Sequence, residues 1–428
     1  MTDREFDIVV FGASGFVGRL TADYLAGHAP SDLRIALAGR SAERLTAVRD
    51  GLGEVAADWP VVVADTSDTD AVQSLARSTR VVATTVGPYA RYGLPLVAAC
   101  ADAGTHYADL TGEVLFVRDS LQGYAEAARG SGARIVHSCG FDSVPSDIGV
   151  LLLAERAHAD GEGTLESTTL VVRSMRGGIS GGTIDSGRAM AQAIAADRSL
   201  AKVMVDPYAL SPDRAAEPDA GPAPDAVRIR RDASVGAWVG PFVMATYNTR
   251  VVRMSNALQD WSYGRTFRYR EAMAYGDDAL APLRAVGVSA GVAVGIAGLA
   301  FGPTRAVLDR FLPAPGEGPD EETRTNGGFD IEIRTRTTSG AAYRCVVSAQ
   351  GDPGYAATSV MLGESALALA LDGAELPERA GVLTPASGIG VRLAERLRLA
   401  GFTLEVTTTD VAVPDWTVTV TAPGVTEP

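Results

Sequence analysis

Thirteen residues near the beginning, FDIVVFGASGFVG (6–18), leave few folds open: an apolar run ends at Gly12, and Gly15 and Gly18 follow at three-residue intervals. The run reads as a buried strand. Val17, Leu20, Tyr24 and Leu25 then share one face of a helix that stops in the Gly27–Pro30 stretch. A strand that enters a helix through Gly-x-x-Gly-x-x-Gly is suited to a dinucleotide. The first glycine allows a sharp turn, the second lets backbone approach a pyrophosphate, and the third lets helix and strand pack closely. Amides at the helix N-terminus stabilise the phosphate charge. The alternative is a tight turn that holds no ligand.

The same rhythm runs through the first 150 residues. Strand candidates are FDIVVF (6–11), LRIALAG (33–39), PVVVAD (60–65), RVVATTVG (80–87), HYADL (106–110) and ARIVHSCG (133–140), with helical spacing between them. That alternation predicts an α/β fold, a Rossmann-type doubly wound parallel sheet. At 428 residues the chain exceeds what one core usually supports, so two domains are expected. We divide it into a dinucleotide-binding domain at 1–157, a substrate domain at 158–384 and a segment at 385–428 that returns to the first domain. Within the second lie the glycine-rich RGGISGGT (176–183), an exposed loop at 206–226, and a hairpin of GFDIEIRTRTT and AAYRCVVSAQG about Thr338-Ser339-Gly340. VRLAERLRLAGF, with Gly401 as its stop, reads as a helix.

Composition removes several classes. A formal charge of −14 and a pI near 4.8 argue against nucleic acid, which is bound by neutralising phosphates. Lys202 is the only lysine, so neither a P-loop nor the Tyr-x-x-x-Lys pair of short-chain dehydrogenases exists; Arg198 stands four residues before it. Cys100, Cys139 and Cys345 form no C-x-x-C, and His28, His106, His137 and His158 no H-E-x-x-H, so no metal is expected. Without a disulfide framework or an apolar leader before the first strand, a reducing, cytoplasmic compartment is expected. The uncharged run Ala285–Thr304, between Arg284 and Arg305, is close to the length of a spanning helix, and Gly287, Gly291 and Gly295 repeat at four-residue spacing. It is a glycine-rich helix or hairpin buried between domains, a segment that docks on a membrane or lipid surface, or a true spanning helix.

The second strand ends in Ala38-Gly39-Arg40-Ser41, where an NAD enzyme would carry a carboxylate for the ribose hydroxyl. Arg40 and Ser41 instead offer a guanidinium and a hydroxyl to a 2′-phosphate, which favours NADP(H); a solvated surface arginine is the alternative. Asp65 is placed to contact adenine or to cap the next helix. The full cofactor set is Gly12, Ser14, Gly15, Phe16, Val17, Gly18, Arg40, Ser41, Asp65 and, beneath the nicotinamide, Val86, Gly87 and Pro88. Ligands in such sheets lie outside the carboxyl ends of the strands. Those ends offer Tyr89 and Tyr92, then Tyr107, Asp109 and Glu113, then Cys139, Asp142 and Ser143. Tyr89, Tyr107, Asp142 and Cys139 are the catalytic candidates, each with a structural alternative: Cys139 as a small buried hydrophobe, Asp142 or Ser143 as a helix cap, Asp109 as a turn residue.

GASGFVGRL, the AGR at the second strand end, TVGPYARYGLPLVAACADAGTHYADLTGE and CGFDSVPSD together resemble the saccharopine dehydrogenase-like oxidoreductases. Within that group the chain is most similar to the trans-acting enoyl reductases of actinobacteria, and GDPGYAATSVMLGESAL and GVLTPASGIGVRLAERL extend the resemblance over most of its length. The resemblance implies a Rossmann domain, a second α+β domain inserted before a returning C-terminal segment, and NADP(H) as cofactor; the reaction expected is NADPH-dependent reduction of an α,β-unsaturated acyl group, on a lipid or a carrier, for which we take Tyr89 or Tyr107 as the acid. A true saccharopine-type enzyme would instead form an imine from an amino acid, with Arg173, Arg176 and Arg188 facing the substrate carboxylates. A third possibility is a non-catalytic NADPH-binding protein on a lipid surface. Oligomeric state stays open.

Overall fold

The computed structural model describes residues 4–177, 181–220, 225, 227–300, 318–411 and 413. Its strands, in chain order, are β1 (Phe6–Phe11), β2 (Ile35–Gly39), β3 (Val61–Val63), β4 (Thr79–Thr84), β5 (His106–Ala108), β6 (Arg134–Val136), β7 (Leu165–Arg176), β8 (Arg230–Asp232), β9 (Ala237–Pro241), β10 (Arg268–Ala274), β11 (Gly328–Thr337), β12 (Ala342–Gln350), β13 (Gly381–Leu383) and β14 (Thr403–Thr408). They form two seven-stranded sheets, ordered β13-β6-β5-β4-β1-β2-β3 and β14-β12-β11-β7-β10-β9-β8.

Every pairing in the first sheet is parallel. Helices α1 (Phe16–His28), α2 (Ala42–Gly51), α3 (Thr69–Ser78), α4 (Tyr89–Ala103), α5 (Val114–Ser131) and α6 (Val144–Ala159) connect successive strands or follow the last. Both faces of β1 are therefore covered, which is why FDIVVF is buried at every position and apolar but for Asp7, whose carboxylate pairs with Arg34 at 3.2 Å. One face packs on α3, α4 and α5 through residues such as Leu75, Leu96 and Val117. The opposite face packs on α1, α6 and the helix Thr358–Leu371, and that core continues into the second sheet through Ile333 and Val347. The strand order reverses between β1 and β4, so a crevice opens at their carboxyl ends.

The second sheet is antiparallel apart from the β7–β10 pair. The hairpin about Thr338-Ser339-Gly340 is β11–β12, with Ile333 opposite Cys345. Where the chain returns is a matter of topology. Thr358–Leu371 lies against α1, β1, β4 and β5, and β13 pairs with β6, so the first domain is completed from within the stretch 358–383. Beyond 385, helix Val391–Leu399 packs on Thr358–Leu371 and α6, and β14 joins the second sheet beside β12. Ion pairs fix this region: Arg396 bonds Asp372 at 2.9 Å and Glu364 at 3.1 Å, and Tyr24 of α1 donates to Glu364 at 2.5 Å.

The uncharged run expected at 285–304 begins inside a helix, Ala281–Ala300, that packs on helix Gly181–Ala196 and on β9; residues 301–304 lie outside the described residues. Leu283, Val286, Val288 and Val294 on it are exposed. A different helical run, Pro353–Leu371, has the length and composition to cross a membrane, but 78% of its apolar stretch is buried as a core helix. The 206–226 loop is tied down by Arg253, which bonds Asp225 at 2.6 Å, and by Trp261, which donates to Glu217 at 3.3 Å.

Candidate functional site

The glycine loop is built as its spacing requires. Gly12 has φ +91°, and a Cβ there would stand 2.8 Å from Val86 Cγ2 and 2.9 Å from Thr85 Oγ1. A Cβ on Gly18 would overlap the Gly12 carbonyl, so this glycine lets the first turn of α1 sit on the loop. Gly15 is the N-cap of α1 and makes no side-chain cap bond, which leaves the first amides of the helix pointing outward. A Cβ on Gly15 would meet only the Gly12 oxygen, at 3.2 Å, so at this position the bare backbone is what suits close approach of a phosphate. Thr85 Oγ1 donates to the Gly12 oxygen at 3.3 Å, which brings the end of β4 against the loop. Gly12, Ser14, Gly15, Phe16, Val17 and Gly18 thus adjoin Val86, Gly87 and Pro88.

At the end of β2, Arg40 is exposed beside this loop, and Ser14 Oγ lies 3.9 Å from where a Cβ on Gly39 would be. Ser41 also serves as the N-cap of α2, where its side-chain oxygen accepts from Arg44 N at 3.3 Å. Its hydroxyl proton stays available as a donor. Asp65 does not cap the next helix, since Asp68 accepts from Ala71 N at 3.1 Å. Asp65 accepts from Ser67 N and Oγ at 2.8 and 2.7 Å, and these bonds, with Arg40 nearby, hold its carboxyl below the usual range.

The other end of the crevice departs from the sequence expectations. Tyr89 is buried: its hydroxyl donates to Thr84 O at 3.1 Å and accepts from Leu110 N at 3.2 Å. Tyr107 is fully buried and donates to Asp109 Oδ2 at 3.0 Å. Both tyrosines, the first choices for a proton donor, are therefore committed inside the fold, and burial pushes both hydroxyls well above the usual value. Cys139 is also buried, with Sγ 3.6 Å from Val136 O, and burial raises its thiol; it acts as a small hydrophobe. Asp109 is a structural hub. It accepts from Tyr107, from Ser138 N at 2.9 Å and from Thr111 N at 3.0 Å, and lies 2.7 Å from His137 Nδ1.

Asp142 differs from all of these. Among the described residues it makes no hydrogen bond and no ion pair, and it leaves the capping position of α6 to Ser143. Its carboxyl lies against Gly112, where a Cβ would stand 3.0 Å from Oδ2, and the residue as a whole is half-buried. Its low-dielectric surroundings alone push it up to about 7.

Residues that sequence reasoning missed join it. Ser138, in the left-handed region at φ +67°, shares a 2.5 Å hydrogen bond with Tyr247 OH of helix Ala245–Leu258. Asp142 and Asp109 both act electrostatically on that tyrosine, and burial leads in raising its hydroxyl. Glu113 accepts from Tyr89 N, Ala90 N and Ser186 Oγ. No sequence signal marks Tyr247 or Ser186, since both arrive from the second domain. Of the arginines a saccharopine-type reaction would need, Arg173 bonds Glu332 at 3.0 Å in the second sheet, Arg188 bonds Asp185 at 2.6 Å, and Arg176 is exposed at the end of β7.

Comparison with known proteins identifies the family and the fold. The saccharopine dehydrogenase NADP binding domain family matches residues 8–136. A Mycobacterium tuberculosis (strain H37Rv) protein, provisionally named a trans-acting enoyl reductase, is 53% identical over 414 residues, 95% of this chain and 98% of its own length. The trans-acting enoyl reductase of Mycobacterium ulcerans (strain Agy99) is 48% identical over 413 residues, 94% of this chain and 98% of its own. Among solved structures, apo saccharopine dehydrogenase (L-Glu forming) from Saccharomyces cerevisiae aligns over 94% of this chain and 100% of that one. Its TM-score is 0.53 at 13% identity, a likeness of fold.

Proposed function

Because the chain belongs to the saccharopine dehydrogenase-like oxidoreductases, in the group of trans-acting enoyl reductases, and binds NADP(H), we propose that it reduces the carbon–carbon double bond of an α,β-unsaturated acyl thioester. The substrate is carried on a pantetheine arm or a lipid-linked carrier. When bound, NADPH would supply a hydride, with its electron pair, to the β-carbon.

This chain's residues supply the rest. Asp142 gives its carboxyl proton to the α-carbon, where the electrons of the former double bond arrive, and recovers a proton from water once product has left. In the Ser138–Tyr247 pair one hydroxyl proton lies between the two oxygens, so the other remains to hydrogen-bond the developing enolate oxygen. Arg40 and the first amides of α1 hold the phosphates. Helix Ala281–Ala300, packed on Gly181–Ala196, borders the side from which the acyl chain enters.

The observation that carries this reading is Asp142: an unpartnered carboxyl raised to about 7, so that it still holds its proton near neutral pH. Absorbance at 340 nm with NADPH and a panel of enoyl thioesters, amino-acid plus keto-acid pairs, or no acceptor tests it. Oxidation of NADPH with enoyl thioesters is expected. Oxidation with the amino-acid pairs alone, or tight NADPH binding with no turnover on any acceptor, overturns it.

A further inference from the structure

Helix Gly181–Ala196 belongs to the second domain by sequence yet is fastened to both ends of the crevice. Its first residue is held by Tyr355, whose hydroxyl accepts from Gly181 N at 3.1 Å. The Tyr355 ring in turn stands edge-on to Phe16, with centroids 4.9 Å apart, immediately after the Gly15 cap. Five residues along the same helix, Ser186 donates to Glu113 Oε1 at 2.6 Å.

Glu113 stands at the opposite end of the crevice. The oxygen that receives Ser186 also accepts from Tyr89 N at 2.9 Å, and the second oxygen accepts from Ala90 N at 2.7 Å. These amides open α4, directly after the Gly87–Pro88 stretch expected beneath the nicotinamide, and the N-cap itself, Pro88, makes no side-chain bond to them. Glu113 is only 1% exposed, so each of its oxygens must find donors inside the protein. One carboxylate therefore sets the position of the nicotinamide platform and of the helix that covers it.

We propose that Ser186 and Glu113 form an interdomain latch that holds helix Gly181–Ala196 closed over the nicotinamide end of the crevice. Both are then positioning residues for hydride transfer. This rests on the cofactor placement argued above. The Tyr355–Gly181 bond is the hinge side, since it joins the helix to the glycine loop, and the Ser186–Glu113 bond is the side that releases. Releasing it frees the helix to swing about its first turn without disturbing the amides that hold the phosphates.

The test is amide hydrogen exchange on the full-length protein with NADPH bound, read alongside calorimetric affinity and the fluorescence of the bound nicotinamide. Removing a hydrogen bond to a buried carboxylate in Ser186→Ala should speed exchange across 181–196 by roughly tenfold or more and leave the NADPH Kd within about threefold of wild type. Nicotinamide emission should fall toward that of free NADPH, and Ser186→Thr, which keeps the hydroxyl, should restore both readouts. Wild-type exchange and emission in Ser186→Ala overturn the latch. So does a folded Ser186→Ala that no longer binds NADPH, because Ser186 is then a cofactor contact. If wild-type protein itself gives no heat with NADPH, the cofactor placement fails first and the latch falls with it.

Discussion

In the proposed reading, the phosphate end of the crevice is main chain from one continuous stretch, Gly12–Gly18, whereas the chemical end takes side chains from Glu113, Ser138, Asp142, Ser186 and Tyr247. The first needs only glycines at fixed spacing, because amides and a bare backbone bind the phosphates. The second needs the two domains to meet, because Tyr247 and Ser186 come from helices of the second. Substitutions at the first end should therefore change cofactor affinity. Those at the second should change the rate or the shape of its pH profile at constant affinity.

The strongest way to break this contrast is Asp142→Asn. A positioned acid contributes roughly a hundredfold to ten-thousandfold, so kcat should fall by about that much, with the NADPH Kd unchanged by calorimetry. The pH profile supplies the sign. Asp142 acts while protonated and is raised to about 7, so wild-type activity should decline as pH rises through about 7, and that decline should vanish in the variant. A wild-type decline that persists in Asp142→Asn assigns the acid to another group.

Arg40→Ala probes the opposite end. Charge-assisted hydrogen bonds contribute about 1.5–3 kcal/mol, so the NADPH Kd should rise roughly ten- to a hundredfold while the NADH Kd stays within about twofold. Equal effects on the two nucleotides mean that the 2′-phosphate is read elsewhere. The smallest functional effect is expected at Tyr107→Phe, which separates catalysis from structure. Removing the donor to buried Asp109 should destabilise the fold by about 1.5–3 kcal/mol, seen in the urea midpoint, with kcat within about twofold. A large loss of kcat at unchanged stability returns Tyr107 to the catalytic group.

Legibility follows the same division. The strand-and-helix alternation, the glycine loop and the β11–β12 hairpin were readable because each depends on residues close in sequence, through periodicity or turn chemistry. Asp142 was visible as a candidate, yet nothing local separated it from Tyr89, Tyr107 and Cys139. That separation depends on which of the four is left without a partner once Thr84, Leu110, Asp109 and Val136 have taken theirs. The path of the C-terminal third was harder still. Thr358–Leu371 and β13 complete the first domain and β14 joins the second sheet, a choice fixed by packing against α1 and β6 and by pairing with β12.

By itself, then, the order of residues determined that this chain forms a parallel sheet with a phosphate-binding turn at Gly12–Gly18 and a guanidinium at Arg40 beside it. These are matters of backbone sterics and of spacing within one βαβ unit. Tertiary structure alone decided which polar side chains stay free and which are consumed. Hydrogen-bond satisfaction and desolvation depend on every group that surrounds a residue, and here several of those groups arrive from the other domain.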